Sequence, residues 1–267
     1  MKSIDGIGLS DVQAVYAGPE GELWELVMGE QVHIGGLTSS MDLAERAGIR
    51  GGRGVDLCCC TGAGMRFLVR FRDVVGMTGV DATGRVIEKG RRRCHDEGFD
   101  GKVNFILADA TATGLPAGRA DFIWGEDAWC YVADKPALIA EAARLVRPGG
   151  AIAFTDWVEG PAGLSDAEAQ RYLKFMKFPN VATIDEYAGL LKTSGCQVLS
   201  ADDTGRFAEY VPLYLDMLGK QLTYDALKII AFNQELMKGL AGEMAFMGEL
   251  AEAGKIAQGL FVARKGN

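Results

Sequence analysis

The chain has 267 residues, 48% of them hydrophobic and 24% charged, so it is long enough to bury a sizeable core without disulfides. A formal net charge of −8 argues against a nucleic-acid partner, because binding to phosphates requires clustered lysine and arginine. Six cysteines with no CxxC pair indicate neither a disulfide framework nor a zinc site, and the absence of a long apolar run predicts a cytoplasmic protein without a membrane partner.

The first part of the chain is expected to be a helical cap, and the next part an α/β sheet. Residues 1–50 have helical patterns, including Met41–Ala47. Five short apolar runs then predict strands: Arg53–Cys58, Val74–Val80, Val103–Leu107, Asp121–Trp124 and Ala151–Phe154. Between them the pattern predicts helices near 63–72, 84–97 and 135–146. This alternation is typical of an α/β fold with a Rossmann-like, doubly wound, mostly parallel sheet.

The same domain is expected to run from residue 51 to 267, with a helical embellishment at about 160–253 after the fifth strand. Two capping-box patterns, Ser165 to Glu168 and Thr183 to Glu186, predict helix starts. Val198–Leu199 indicates a further strand and Ala257–Ala263 a last one. Between these strands, apolar residues at helical spacing predict helices near 207–219 and 223–252.

Acidic residues follow the predicted strands at the edge where an open α/β sheet binds ligands. The first strand leads into a turn of sequence VDLCCCTGAG at 55–64, and the later strands end in Asp81-Ala82, Asp109-Ala110 and Glu126-Asp127. An acid after the second strand is suited to accept hydrogen bonds from two ribose hydroxyls. Asp109 is suited to an exocyclic adenine amine, and the amide of Ala110 to a ring nitrogen.

These motifs resemble those of class I S-adenosylmethionine-dependent methyltransferases, in particular the small-molecule branch with sarcosine and dimethylglycine N-methyltransferases. The similar segments are Val55–Gly62, Asp81, Asp109-Ala110, Asp127–Lys135, Arg147–Gly150 with Phe154–Trp157, and, upstream, Gly29–Gly35. The resemblance implies S-adenosylmethionine as cofactor, with S-adenosylhomocysteine as product. It implies cofactor contacts at Asp56, Cys58, Cys60, Thr61, Gly62, Asp81, Ala82, Asp109, Ala110 and Glu126.

Cys58 and Cys60 depart from the family pattern, which has glycine at both positions. Glycine allows a positive φ and a close approach of the backbone to a ligand. One interpretation is a slightly narrowed cofactor site, and the other is a cofactor that is bound differently or replaced. The departure also excludes the GxGxxG signature of a nicotinamide dehydrogenase.

The methyl acceptor is expected to enter above the cofactor, between the N-terminal segment and the insertion. Aromatic faces there could hold a methylated cation. The candidate substrate residues are Tyr16, Trp24, His33, Trp129, Tyr131 and Trp157, and the candidate catalytic residues are His33, Tyr131 and Glu126. Tyr131 stands where the similar N-methyltransferases usually have histidine. Because methyl transfer from a sulfonium is an in-line displacement governed by positioning, no metal is expected.

The leading hypothesis is therefore methylation of a small-molecule acceptor by S-adenosylmethionine. A second keeps the fold but transfers a one-carbon unit to a folate-type carrier, as a demethylase or a dehalogenase-like enzyme. A third is a non-catalytic binding protein on this scaffold, which the retained Asp81 and Asp109 argue against. A homo-oligomer is possible in each case.

Overall fold

A computed structural model describes residues 1–266 of the chain. The strands are β1 (Lys2–Ser3), β2 (Arg53–Leu57), β3 (Gly76–Asp81), β4 (Val103–Leu107), β5 (Ala120–Glu126), β6 (Val146–Glu159), β7 (Asn180–Val181), β8 (Cys196–Asp203) and β9 (Ile256–Lys265). The helices are α1 (Leu9–Ala17), α2 (Pro19–Met28), α3 (Gly36–Arg46), α4 (Ala63–Phe71), α5 (Gly84–Asp96), α6 (Lys135–Leu145), α7 (Asp166–Met176), α8 (Ile184–Thr193), α9 (Arg206–Lys220), α10 (Thr223–Ile229) and α11 (Gln234–Glu252). A 3-10 turn spans Trp129–Tyr131.

Seven strands form one sheet in the order β4-β3-β2-β5-β6-β9-β8. The first five of these are mutually parallel, and β9 pairs antiparallel with both β6 and β8. The prediction of a doubly wound, mostly parallel sheet is confirmed. Strand order reverses between β2 and β5, and the carboxyl ends of strands on either side of such a point form a crevice.

The N-terminal helices are fastened to the sheet by polar contacts to α5 and to the end of β3. Gln13 donates to the carbonyl of Ala82 (2.8 Å), and Arg85 donates to the carbonyl of Ala17 (2.6 Å). Glu25 forms ion pairs with Lys89 and Arg93. Basic side chains of α5 therefore help to anchor the N-terminal helices.

Beyond β6 the chain both completes the sheet and builds a helical layer. The two predicted capping boxes are present, at Ser165 before α7 and Thr183 before α8. The stretch at 160–253 is not purely helical, because it also contains β7 and β8. The helix predicted at 223–252 is interrupted between α10 and α11, where Ala231 and Phe232 adopt positive φ angles of 52° and 60°.

No helix within residues 1–266 has the length and apolar character needed to cross a membrane.

Candidate active site

A cavity of about 290 Å³ lies at the carboxyl ends of β2, β3, β4 and β5, covered by α1 and the segment before α3. Twelve of the candidate residues line it: Tyr16, His33, Asp56, Cys58, Cys60, Thr61, Asp81, Ala82, Asp109, Ala110, Glu126 and Tyr131. They come from separate stretches of chain, which the parallel strand order brings to one edge of the sheet.

The turn after β2 places two cysteines in the left-handed region of backbone conformation. Cys58 has φ 62° and Cys60 has φ 47°, the conformation that makes glycine the favoured residue. The thiols are poor nucleophiles, because burial and the carboxylate of Asp81 raise the pKa of Cys60 to about 12. The departure from glycine therefore changes backbone strain and the shape of the cavity rather than adding a reactive group.

We expect Cys60→Gly to raise the free energy of unfolding by about 1 kcal/mol, because it removes the left-handed strain of a side chain. It should also tighten cofactor binding, since the thiol lines the cavity. Urea unfolding and calorimetric titration measure the two effects. Asp73→Gly is the matched control, because Asp73 has φ 55° and does not line the cavity. Equal affinity gains in both variants, or a loss in Cys60→Gly, would contradict this assignment.

The carboxylates of Asp81 and Asp109 are oriented by the backbone beside them. Asp81 accepts hydrogen bonds from the amides of Cys60 (2.9 Å) and Thr83 (2.8 Å). Asp109 accepts from both the amide and the hydroxyl of Thr111, each at 2.8 Å, through its Oδ1 atom. Each acid is thus held in a fixed orientation at the cavity wall.

The cavity has a strongly acidic lining. Seven acids line it, and within residues 1–266 no lysine or arginine does: Glu30, Asp56, Asp81, Asp109, Glu126, Asp127 and Asp134. Burial raises the pKa of Asp56 well above its usual value, and the carboxylates of Glu126 and Asp81 raise it further. A bound cation would relieve this repulsion, so the site favours cationic ligands and disfavours phosphates.

Glu126 is fixed at the N-terminus of α4. It accepts hydrogen bonds from the Ser40 hydroxyl (2.6 Å) and the Trp124 indole (2.9 Å), and its Oε1 lies 3.3 Å from Nε2 of His33. A Cβ atom on Gly64 would come within 2.5 Å of the Glu126 carboxylate, so this approach requires glycine. Ser40 was not among the predicted site residues, because it lies 86 positions from Glu126 along the chain.

Two tyrosines form the wall on the acceptor side. The hydroxyls of Tyr16 and Tyr131 lie 3.0 Å apart, and their rings meet edge to face. Burial raises the pKa of both phenols, so both remain neutral. The pair presents aromatic surface and hydroxyl groups to the cavity.

A buried polar cluster supports the turn that carries Tyr131. Asp156 accepts from the amide of Cys130 (2.9 Å) and the hydroxyl of Tyr187 (2.5 Å). Lys135 donates to the carbonyls of Cys130 (3.2 Å) and Val132 (2.6 Å). Both charged residues are fully buried. No sequence pattern paired them, because Asp156 lies on β6 and Lys135 begins α6.

Four candidate residues do not line the cavity. The assignment of three tryptophans to the substrate wall is corrected: Trp129 is fully buried, with its indole donating to the carbonyl of Leu57 (3.1 Å), Trp157 packs on Phe207 in the core, and Trp24 faces a different cavity. Gly62 lies in the turn beside the cavity, where it has φ 74° and a Cβ atom would lie 2.7 Å from Phe105, and its contact with the cofactor stays a prediction.

Asp127, which directly follows β5, connects the N-terminal segment to the sheet. Its carboxylate accepts from the amide of Ile34 (2.8 Å) and from the side chain of Gln258 (2.8 Å). It lines the cavity as well as anchoring this segment. Within residues 1–266, no group of three or more histidine, cysteine, aspartate or glutamate side chains is placed to hold a metal ion.

A family model described as a methyltransferase domain matches residues 55–154, the segment that supplies most of the strand-end acids. The central part of the chain therefore carries a methyltransferase domain. Among its relatives, 27-O-demethylrifamycin SV methyltransferase of Amycolatopsis mediterranei is 28% identical over 70% of this methyltransferase and 74% of its own length. Phosphoethanolamine N-methyltransferase 1 of Arabidopsis thaliana is 27% identical over 91% of this chain, which spans only 48% of that relative.

Solved structures agree on the fold of this methyltransferase. A Galdieria sulphuraria protein assigned as a sarcosine dimethylglycine methyltransferase has a TM-score of 0.83 at 20% identity, covering 93% of this chain and 98% of its own. The Haemonchus contortus phosphoethanolamine N-methyltransferase 2 complex with phosphomonomethylethanolamine and S-adenosylhomocysteine has a TM-score of 0.85 at 18% identity, covering 99% and 61%. The [4+2]-cyclase SpnF has a TM-score of 0.79 at 19% identity, and the match covers 99% of this chain and 98% of the SpnF chain. The fold is thus compatible with more than one chemistry, so the substrate has to be inferred from the residues of the site.

Proposed function

We propose that this methyltransferase transfers a methyl group from S-adenosylmethionine to a small neutral or cationic acceptor that carries no phosphate. The observation that supports this proposal is the acidic lining of the cavity, to which no lysine or arginine of residues 1–266 contributes. Its acceptor would differ from the phosphate-bearing acceptors that the names of the phosphoethanolamine N-methyltransferases specify. A phosphate ester would meet carboxylates here without a compensating cation.

The residues of the cavity match the chemistry of this cofactor. Asp81 would accept hydrogen bonds from the ribose hydroxyls, Asp109 and Ala110 would bind the adenine edge, and the acids around Asp56 would stabilise the sulfonium charge. The cofactor supplies an activated methyl group. The protein's task is to align the acceptor in line with that group and to exclude water, and such positioning contributes about 7–11 kcal/mol when geometry is good.

Tyr16 and Tyr131 are the residues best placed to orient the acceptor. Their neutral hydroxyls can donate to or accept from an amine or hydroxyl, and their rings can hold a methylated ammonium by cation–π attraction. Glu126 and His33, joined through Ser40, are the groups placed to take a proton from the acceptor. The folate-type alternative gains no support from the relatives, which are named as methyltransferases.

We expect methyl-tritiated S-adenosylmethionine, incubated with enzyme and a cellular small-molecule extract, to give labelled products in the neutral and cationic fractions of an ion-exchange separation. Tyr131→Phe should lower that transfer by roughly threefold to tenfold, the effect of one lost hydrogen bond. Tyr224→Phe is the matched control, since Tyr224 is exposed on α10 and outside the cavity. Label in the strongly anionic fraction would overturn the acceptor class. The absence of label from every fraction would contradict transfer to a metabolite.

The cellular setting belongs to the same proposal. All six cysteines are free thiols, which supports a reducing, cytoplasmic compartment. A homo-oligomer stays a prediction, and size-exclusion chromatography with light scattering would measure it.

A further inference from the structure

A second cavity lies among the helices, away from the candidate active site. It has a volume of about 570 Å³, roughly twice that of the first, and is walled by α1, α2, α7, α9, α10 and α11. Within the described part of the chain, no residue lines both cavities. Trp24, Phe175, Leu215 and Leu240 leave part of their apolar surface exposed to it. Its volume is in the range typical of small-molecule sites.

Two helix glycines keep space open beside this cavity. Gly219 on α9 and Gly239 on α11 both line it, and a Cβ atom at either would meet nothing within 4 Å. Neither has a positive φ, so neither turn geometry nor close packing requires glycine there. An interior helix glycine costs about 1 kcal/mol relative to alanine. Both glycines are exposed, so a larger side chain at either position would occupy open space at the edge of the cavity.

Three basic side chains line the same cavity, and two of them, both lysines, have no carboxylate partner in the described part of the chain. Arg171 is paired with Glu243 (3.0 Å) and lies over the ring of Phe246. Lys174 and Lys177 also line the cavity, and within residues 1–266 neither forms an ion pair within 4 Å. One exposed acid, Glu20, is the remaining charge in the lining. In a chain of net charge −8, this combination of apolar wall and unpaired ammonium groups complements an apolar molecule with one anionic group.

We propose that this helical cavity binds an amphiphilic carboxylate, with its hydrocarbon body between α2, α9 and α11 and its carboxylate beside Lys174 and Lys177. The hydrocarbon body would cover the half-exposed apolar side chains, which is the main source of affinity. The two lysines would distinguish the carboxylate from an alcohol or an amine with the same hydrocarbon chain. The site is separate from the candidate active site, because the described residues that line the two cavities are all distinct.

Equilibrium dialysis of the full chain with radiolabelled dodecanoate tests the site, with dodecanol and dodecylammonium as probes of the head group. We expect one dodecanoate per chain and weaker binding of the other two. Gly239→Leu should weaken dodecanoate by at least about tenfold, because the added side chain fills the space that the ligand needs. Gly189→Leu on α8 is the matched control: its Cβ also meets nothing within 4 Å, but it does not line the cavity.

The charge contribution is measured separately. The double variant Lys174→Gln/Lys177→Gln should lower the affinity for dodecanoate by about fivefold, which is the scale of exposed ion pairs. Its affinity for dodecanol should not change. Lys192→Gln, an exposed change on α8, is the control. Circular dichroism and S-adenosylhomocysteine titration of each variant establish that it is folded. Dodecanoate binding that Gly239→Leu leaves unchanged, equal affinity for dodecylammonium, or no binding to folded wild-type protein would each overturn the proposal.

Discussion

Asp81→Asn is expected to weaken the binding of both S-adenosylmethionine and S-adenosylhomocysteine by about 100-fold, since hydrogen bonds to a charged acceptor contribute about 1.5–3 kcal/mol each. The carboxylate of Asp81 is held by the amides of Cys60 and Thr83, with its side chain at the cavity wall. An asparagine keeps the size of the side chain but loses the charge, and its amide nitrogen faces one of the two backbone donors. Isothermal titration measures the change.

The control for this experiment is Asp185→Asn, which removes one charge from a position on α8 that is far from the cavity lining. Thermal unfolding separates a weakened site from a misfolded turn, because Asp81 also orders the Cys58–Cys60 segment. Unchanged affinity in a folded Asp81→Asn protein would contradict the proposal that Asp81 binds the ribose. Absence of cofactor binding by folded wild-type protein would instead contradict S-adenosylmethionine as the methyl donor and would favour the folate-type alternative.

The central part of the fold could be predicted because local and global signals agree there. The strand at Val103–Leu107 was predicted with its observed bounds, and α4, α5 and α6 differ by one residue at most. Asp134 caps α6 as expected, accepting from the amide of Ala137 (2.9 Å). Strand-end acids could be placed at one edge because parallel strands present their carboxyl ends together.

The remaining features depend on contacts that a linear pattern does not contain. Trp129 follows β5 as the site acids do, and Trp157 lies near the end of β6; only the packed structure shows that both side chains lie in the core. The interruption of the late helix at Ala231 and Phe232 involves neither glycine nor proline, and its local signal is the next residue, Asn233, which caps α11 by accepting from the amide of Leu236 (3.0 Å). Ser40 and Glu126 meet across 86 positions of sequence, and that pairing needs the topology.

The Cys58 and Cys60 departure shows how a sequence signal and a structure combine. The sequence raised the question of whether these positions need a positive φ, and the structure shows that both have one. The turn therefore keeps the backbone path that glycine would permit, at the cost of local strain. An open cavity remains beside it, which supports the interpretation of a narrowed site over that of a replaced cofactor.

Asp156→Ala is expected to lower the free energy of unfolding by about 3–5 kcal/mol, because it breaks a buried charged cluster and leaves Lys135 without a compensating charge. The change removes the acceptor of the Cys130 amide and of the Tyr187 hydroxyl, both buried. Urea unfolding by circular dichroism measures the loss, and Asp185→Ala is the control. The double variant Asp156→Ala/Lys135→Met should lose less than the sum of the single losses, since it no longer buries an unpaired ammonium. Additive losses would show that the two charges are not coupled.

The pH dependence of the free energy of unfolding, compared between wild type and Asp156→Asn, tests the protonation of the same cluster. Burial raises the pKa of Asp156 from 3.8 to about 6 in the folded protein, with Lys135 partly opposing this increase. Between these two pKa values the unfolded chain ionises while the folded one stays protonated, so this group makes the wild type less stable as the pH rises from 3.8 to about 6. The stability advantage of wild type over Asp156→Asn should therefore shrink by about 3 kcal/mol across that window, because a tenfold change in proton affinity corresponds to about 1.36 kcal/mol. An advantage that grows with pH across this window would mean that the pKa of Asp156 is lower in the folded protein than in the unfolded chain, contrary to the direction expected from its burial.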